Sequence, residues 1–76
     1  MSLLQRFGAN RMPRPGEVVE VYQHNRLLAR GTVIAVDRQT VSIAGEDGLI
    51  DLDTQELQRG LGDGSIRVRR YRAGRF

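Results

Sequence analysis

From Glu17 onward, apolar residues recur mostly at every second position, the spacing of strands with one buried face. Glu17–Gln23 puts Val19 and Val21 on one face and Val18, Glu20 and Tyr22 on the other. His24-Asn25-Arg26 reads as a turn, because Asn tolerates left-handed backbone. Leu27–Asp37 is a longer run rich in β-branched residues with Gly31 inside it. A glycine within a strand pattern marks a bulge or a sharp bend. Asp37-Arg38-Gln39 turns the chain into Thr40–Ala44, with Val41 and Ile43 inward. Gly45-Glu-Asp-Gly48 has the Asp-Gly signature of a hairpin. Leu49–Asp53 follows, with Ile50 and Leu52 inward and Asp51 and Asp53 outward.

Asp53-Thr-Gln-Glu56 resembles a capping box for a single helical turn, with Asp53 or Thr54 as cap and Leu57 plugging one end of the core. Gly60–Gly64 reads as a flexible loop, and Ser65–Arg69 as a last strand with Ile66 and Val68 inward and Arg67 and Arg69 outward. Before Glu17, Leu3, Leu4 and Phe7 have the spacing of one helical turn. The two prolines of Arg11–Gly16 then block regular structure. The expected organisation is an arm over 1–14, a β domain over 15–70 that starts near Pro15, and a basic tail over 71–76.

Four strands, a short helical turn and a fifth strand resemble the SH3-like barrel, especially its KOW, Tudor and RNA-chaperone C-terminal versions. The residues that carry this are Pro15-Gly-Glu-Val-Val-Glu-Val21, Gly31-Thr-Val-Ile-Ala-Val-Asp37 and Thr40-Val-Ser-Ile43. The resemblance implies an all-β, five-stranded barrel over about three quarters of the chain. The Sm-like fold is a second relative and ranks behind it, because the glycine-bearing motif before the last strand is missing and the N-terminal helix would be too short.

Charge changes this picture. The net +3 comes from twelve arginines against nine acids, with no lysine. Residues 1–12 carry +2, residues 13–60 carry −3, and residues 61–76 carry +4, so an acidic middle lies between basic ends. Arg67, Arg69, Arg70, Arg72 and Arg75 fall within nine residues, interleaved with Tyr71 and followed by Phe76. Guanidinium groups contact phosphates and aromatic rings stack on unpaired bases. The expected nucleic-acid-binding residues, for RNA or DNA, are therefore Arg67, Arg69, Arg70, Tyr71, Arg72 and Arg75. The alternative is a protein-interaction or assembly domain. There Val18, Tyr22 and Ile34 face outward, and the opposed charges favour head-to-tail contacts in a homo-oligomer.

Catalysis and metal binding find less support. His24 is the only histidine and there is no cysteine, so no His/Cys pairing is available. A domain of this size, filled by its own side chains, leaves little room for a catalytic cleft, so an enzyme is not expected. No cofactor motif is present: Gly60–Gly64 lacks the helix and the Lys-Ser/Thr pair of a phosphate loop. Asp51 and Asp53 lie about 7 Å apart on one strand face. They pose the question of a hard cation, but pairing with Arg67 or Arg69, or plain solvation, is the expected reading. With no apolar run long enough to span a bilayer and no signal-peptide pattern, no membrane partner is expected, and the cytoplasm is the expected location.

Overall fold

The computed structural model describes residues 11–71. Its elements are β1 (Val18–Gln23), β2 (Arg26–Val36), β3 (Thr40–Gly45), β4 (Gly48–Asp53), α1 (Thr54–Asp63) and β5 (Ile66–Tyr71). The strands form one antiparallel sheet of five in the order β4-β3-β2-β1-β5. The all-β expectation holds, but the sheet is not closed: β4 and β5 are its two edges and do not pair with one another. Instead α1 leads from one edge to the other and packs against both.

The period-two reading places the core correctly. Val19, Val21, Val33, Val41, Ile43, Ile66 and Val68 are buried on one face of the sheet, joined by Ala29 and, from α1, by Leu57 and Leu61. Ile50 and Leu52 pack against this cluster from β4. Packing also begins earlier than Pro15: Pro13 is fully buried and Met12 lies against the core. The Gly16 N–H donates to the Val33 carbonyl at 2.7 Å, and the Val33 N–H to the Glu17 carbonyl at 2.8 Å. The expected helical turn at Leu3, Leu4 and Phe7 lies outside the described residues.

The β1–β2 turn is a two-residue hairpin in which His24 and Asn25 have φ of 50° and 67°. That is the mirror-image geometry that matches strand twist. In β2 the irregularities fall beside Gly31 rather than at it. Val21 and Tyr22 pair with Ala29 and Leu27, skipping Leu28, and β3 pairs with Val33 and Ala35, skipping Ile34. Each extra residue flips the alternation, so Val33 and Val36 can both serve the core. Gly31 marks a close approach instead: a Cβ there would sit 2.1 Å from the Ala44 carbonyl oxygen.

The single helical turn and the loop expected at Gly60–Gly64 are corrected to one ten-residue helix. Asp53 caps it, accepting from the Gln55 and Glu56 N–H groups at 2.9 and 3.2 Å. The Thr54 hydroxyl donates to the Asp37 carbonyl at 2.9 Å, tying the helix start to the β2–β3 turn. Tertiary packing overrides the low helix propensity of two glycines. Gly60 is buried against β5, where a Cβ would meet Ile66 side-chain atoms at 2.5 Å, and the helix stops at Gly64 in the left-handed conformation.

Gly62 has open space around its Cβ position and Gly60 has none. Gly62→Ala is expected to stabilise the fold by about 0.5–1 kcal/mol through helix propensity. Gly60→Ala is expected to destabilise it by about 1–3 kcal/mol through overpacking. Urea denaturation of both variants checks the pair, and equal effects would contradict the packing described.

Candidate nucleic-acid interface

The face of the sheet opposite the core carries the candidate site. Register sets its rows: Glu20 at the centre of β1 stands between Arg30 on β2 and Arg69 on β5. Tyr22 stands between Leu27 and Arg67, and Val18 between Thr32 and Tyr71. Three arginines and two tyrosines therefore surround one glutamate.

Glu20 is only 7% exposed although it lies on the face away from the core. An unpaired buried carboxylate would be costly, and this one is fully engaged. Its Oε1 accepts from the Tyr22 hydroxyl at 2.9 Å and its Oε2 from Arg30 Nε at 3.1 Å. The hydroxyls of Tyr71 and Tyr22, followed by the Arg30 charge, hold its carboxyl below the usual glutamate range despite burial. In return, hydrogen bonding to Glu20 pushes both tyrosine hydroxyls above their ordinary value. The Arg30 side chain remains 63% exposed, so only its Nε is drawn inward. Arg67 and Arg69 are exposed, and the Arg69 guanidinium lies 5.8 Å from the centre of the Tyr71 ring, a cation–π distance.

Of the expected binding residues, Arg67, Arg69 and Tyr71 lie together on this face. Arg70 points the other way, following Ile66 and Val68 toward the core side. Its Nε donates to both Glu17 carboxylate oxygens at 3.3 Å, and its Nη2 donates to the carbonyls of Arg11 and Met12. It anchors the segment before β1 and is not presented on the face with Arg67 and Arg69. Arg72 and Arg75 lie outside the described residues. Sequence reasoning missed Arg30 and the organising role of Glu20. The signal was the opposed charge of Glu20 with Arg30 and Arg69, visible only once strand register is known.

The acidic residues sit elsewhere. Asp51 accepts the Ser42 hydroxyl at 2.8 Å and Asp53 caps α1, so each carboxylate has a neutral donor of its own. The expected pairing with Arg67 or Arg69 does not form, because β4 and β5 are opposite edges of the sheet. Among the described residues no three His, Asp or Glu side chains are grouped to hold a metal ion. His24 lies in the β1–β2 turn, where its N–H donates to the Ser65 carbonyl at 3.0 Å. Comparison with protein-family models, curated proteins and solved structures finds no match.

These shifts fix the sign of the pH response. The lowered Glu20 carboxyl contributes stability above the unfolded glutamate value of about 4.3, lost as pH falls through the folded value. The raised tyrosines contribute stability below about 10, lost as pH rises through their folded values. Tyr22 and Tyr71 are the only tyrosines and there is no tryptophan, so ultraviolet titration reads them alone. In Glu20→Gln both are expected to titrate earlier, nearer pH 10, than in the parent protein. Unchanged titration would show that Glu20 is not their partner.

Proposed function

We propose that this chain is a small non-enzymatic binding module, of the SH3-like barrel type, that engages single-stranded RNA or DNA through the outer face of β2, β1 and β5. The strand order, with β5 returning to β1 after a helix, supports the fold type. The observation that carries the function is the cluster of exposed Arg30, Arg67 and Arg69 beside Tyr22 and Tyr71. In this reading Arg67 and Arg69 contact successive phosphates, Arg30 supports them from the β2 side, and Tyr71, 42% exposed, offers its ring to an unpaired base. The acidic middle of the chain does not oppose this as its composition suggests. Glu20 is buried under its donors, and Asp51 and Asp53 lie on the far edge strand. A face of cations and rings without an adjacent nucleophile and base favours binding over catalysis.

Affinity for a single-stranded oligonucleotide should fall with salt. Arg67→Ala and Arg69→Ala should each flatten the log–log slope by about 0.7, one phosphate contact apiece. Tyr71→Ala should weaken binding by about 1–3 kcal/mol with little change of slope, whereas Tyr71→Phe keeps the ring and most of the affinity. Fluorescence anisotropy across a salt series measures all four. Absence of binding at low salt would end the proposal.

A further inference from the structure

A second feature lies beyond the arginine face. β2 pairs with β1 over Arg26–Thr32 but with β3 only from Thr32 onward. Beside the first half of β2, in front of the β3–β4 hairpin, a cleft of about 530 Å³ opens. Leu27, Leu28 and Ile50 line it, and Leu27 and Leu28 stay 45% and 39% exposed. Leu49, 62% exposed, pairs with the lining residue Ala44. Three of the five exposed large apolar side chains among the described residues thus gather at one end of the sheet. So small a protein leaves such a patch open where something covers it. The two sides of the cleft carry opposite charge. Arg26 and Arg30 are exposed on β2, and Glu46 and Asp47 are exposed at the tip of the hairpin. Continuing the Thr32↔Ala44 register by two residues brings Arg30 level with Glu46, so base and acid flank the same apolar floor.

A patch with bases on one side, acids on the other and an apolar floor between them is complementary to itself. A half-turn about an axis through the floor lays each sign over the other, which is what a two-fold interface requires. A cationic peptide would meet the hairpin but face Arg26 and Arg30, and an anionic one would meet the reverse. We propose that this chain forms a two-fold homodimer through the cleft. Leu27, Leu28 and Leu49 of the two copies pack together, and Arg26 of each copy stands against the partner's Glu46 and the partner's Asp47. Such a contact closes at two copies, unlike the head-to-tail contact that the charge order along the chain suggests. It uses none of Arg67, Arg69 and Tyr71, so it does not depend on nucleic-acid binding by the arginine face.

Sedimentation equilibrium of the full chain across a concentration series tests it. The parent protein is expected to pass from monomer to dimer with no larger species. Leu28→Asp, at an exposed position outside the core, is expected to abolish the dimer. Arg26→Glu alone, and Glu46→Arg with Asp47→Arg alone, are each expected to weaken it by about tenfold or more, because like charges then face one another. Mixed in equal amounts, these two variants are expected to form a heterodimer of parental affinity, since both charge contacts are again between opposite signs. Recovery on mixing also shows that both variants are folded. The proposal is overturned if the parent stays monomeric at every concentration, or if it grows into larger assemblies. It also fails if Leu28→Asp leaves the dimer unchanged, or if the charge variants associate no better mixed than alone.

Discussion

The sheet depends on the passage of β2 through Gly31. Around this residue one strand serves two neighbours, pairing with β1 over Arg26–Thr32 and with β3 over Thr32–Val36. A Cβ at Gly31 would lie 2.1 Å from the Ala44 carbonyl oxygen and 2.7 Å from its carbon, both backbone atoms that cannot rotate away. Its φ of 152° is also one that other residues rarely adopt. The extra residues at Leu28 and Ile34, on either side, reset the alternation so that Ala29, Val33 and Val36 all turn toward one core. The buried face, the arginine face and the cleft beside the β3–β4 hairpin all follow from that path.

On the outer face, a single buried carboxylate organises the exposed cations. Glu20 engages the tyrosine hydroxyls and the inner nitrogen of Arg30, whose side chain stays largely exposed. Charge is sorted by the order of the strands. Asp51 and Asp53 lie on β4 at one edge, and Arg67 and Arg69 on β5 at the other. Among the described residues nine arginines balance nine acids, and the basic edge coincides with the aromatic one.

Period two was enough to assign the core faces of β1, β3, β4 and β5, because each is short and has one buried side. It failed for the helix. Gly60 and Gly62 look like loop residues, and only the contact between Gly60 and Ile66 shows why a glycine belongs in a helix there. It also could not sort the arginines. Arg67 and Arg69 alternate outward as expected, but Arg70 follows the inward parity of Ile66 and Val68 and meets Glu17, fifty-three residues away in sequence. Arg30 joins the site through register with Glu20, which no local pattern reveals.

Chemical-shift mapping of the full chain with a short single-stranded oligonucleotide tests the central claim most directly. The account predicts perturbations at Tyr22, Arg30, Arg67, Arg69 and Tyr71, on one face of three adjacent strands, with Asp51 and Asp53 on β4 unaffected. Perturbations confined to β4, α1 or the β3–β4 hairpin, or none at low salt, would contradict it.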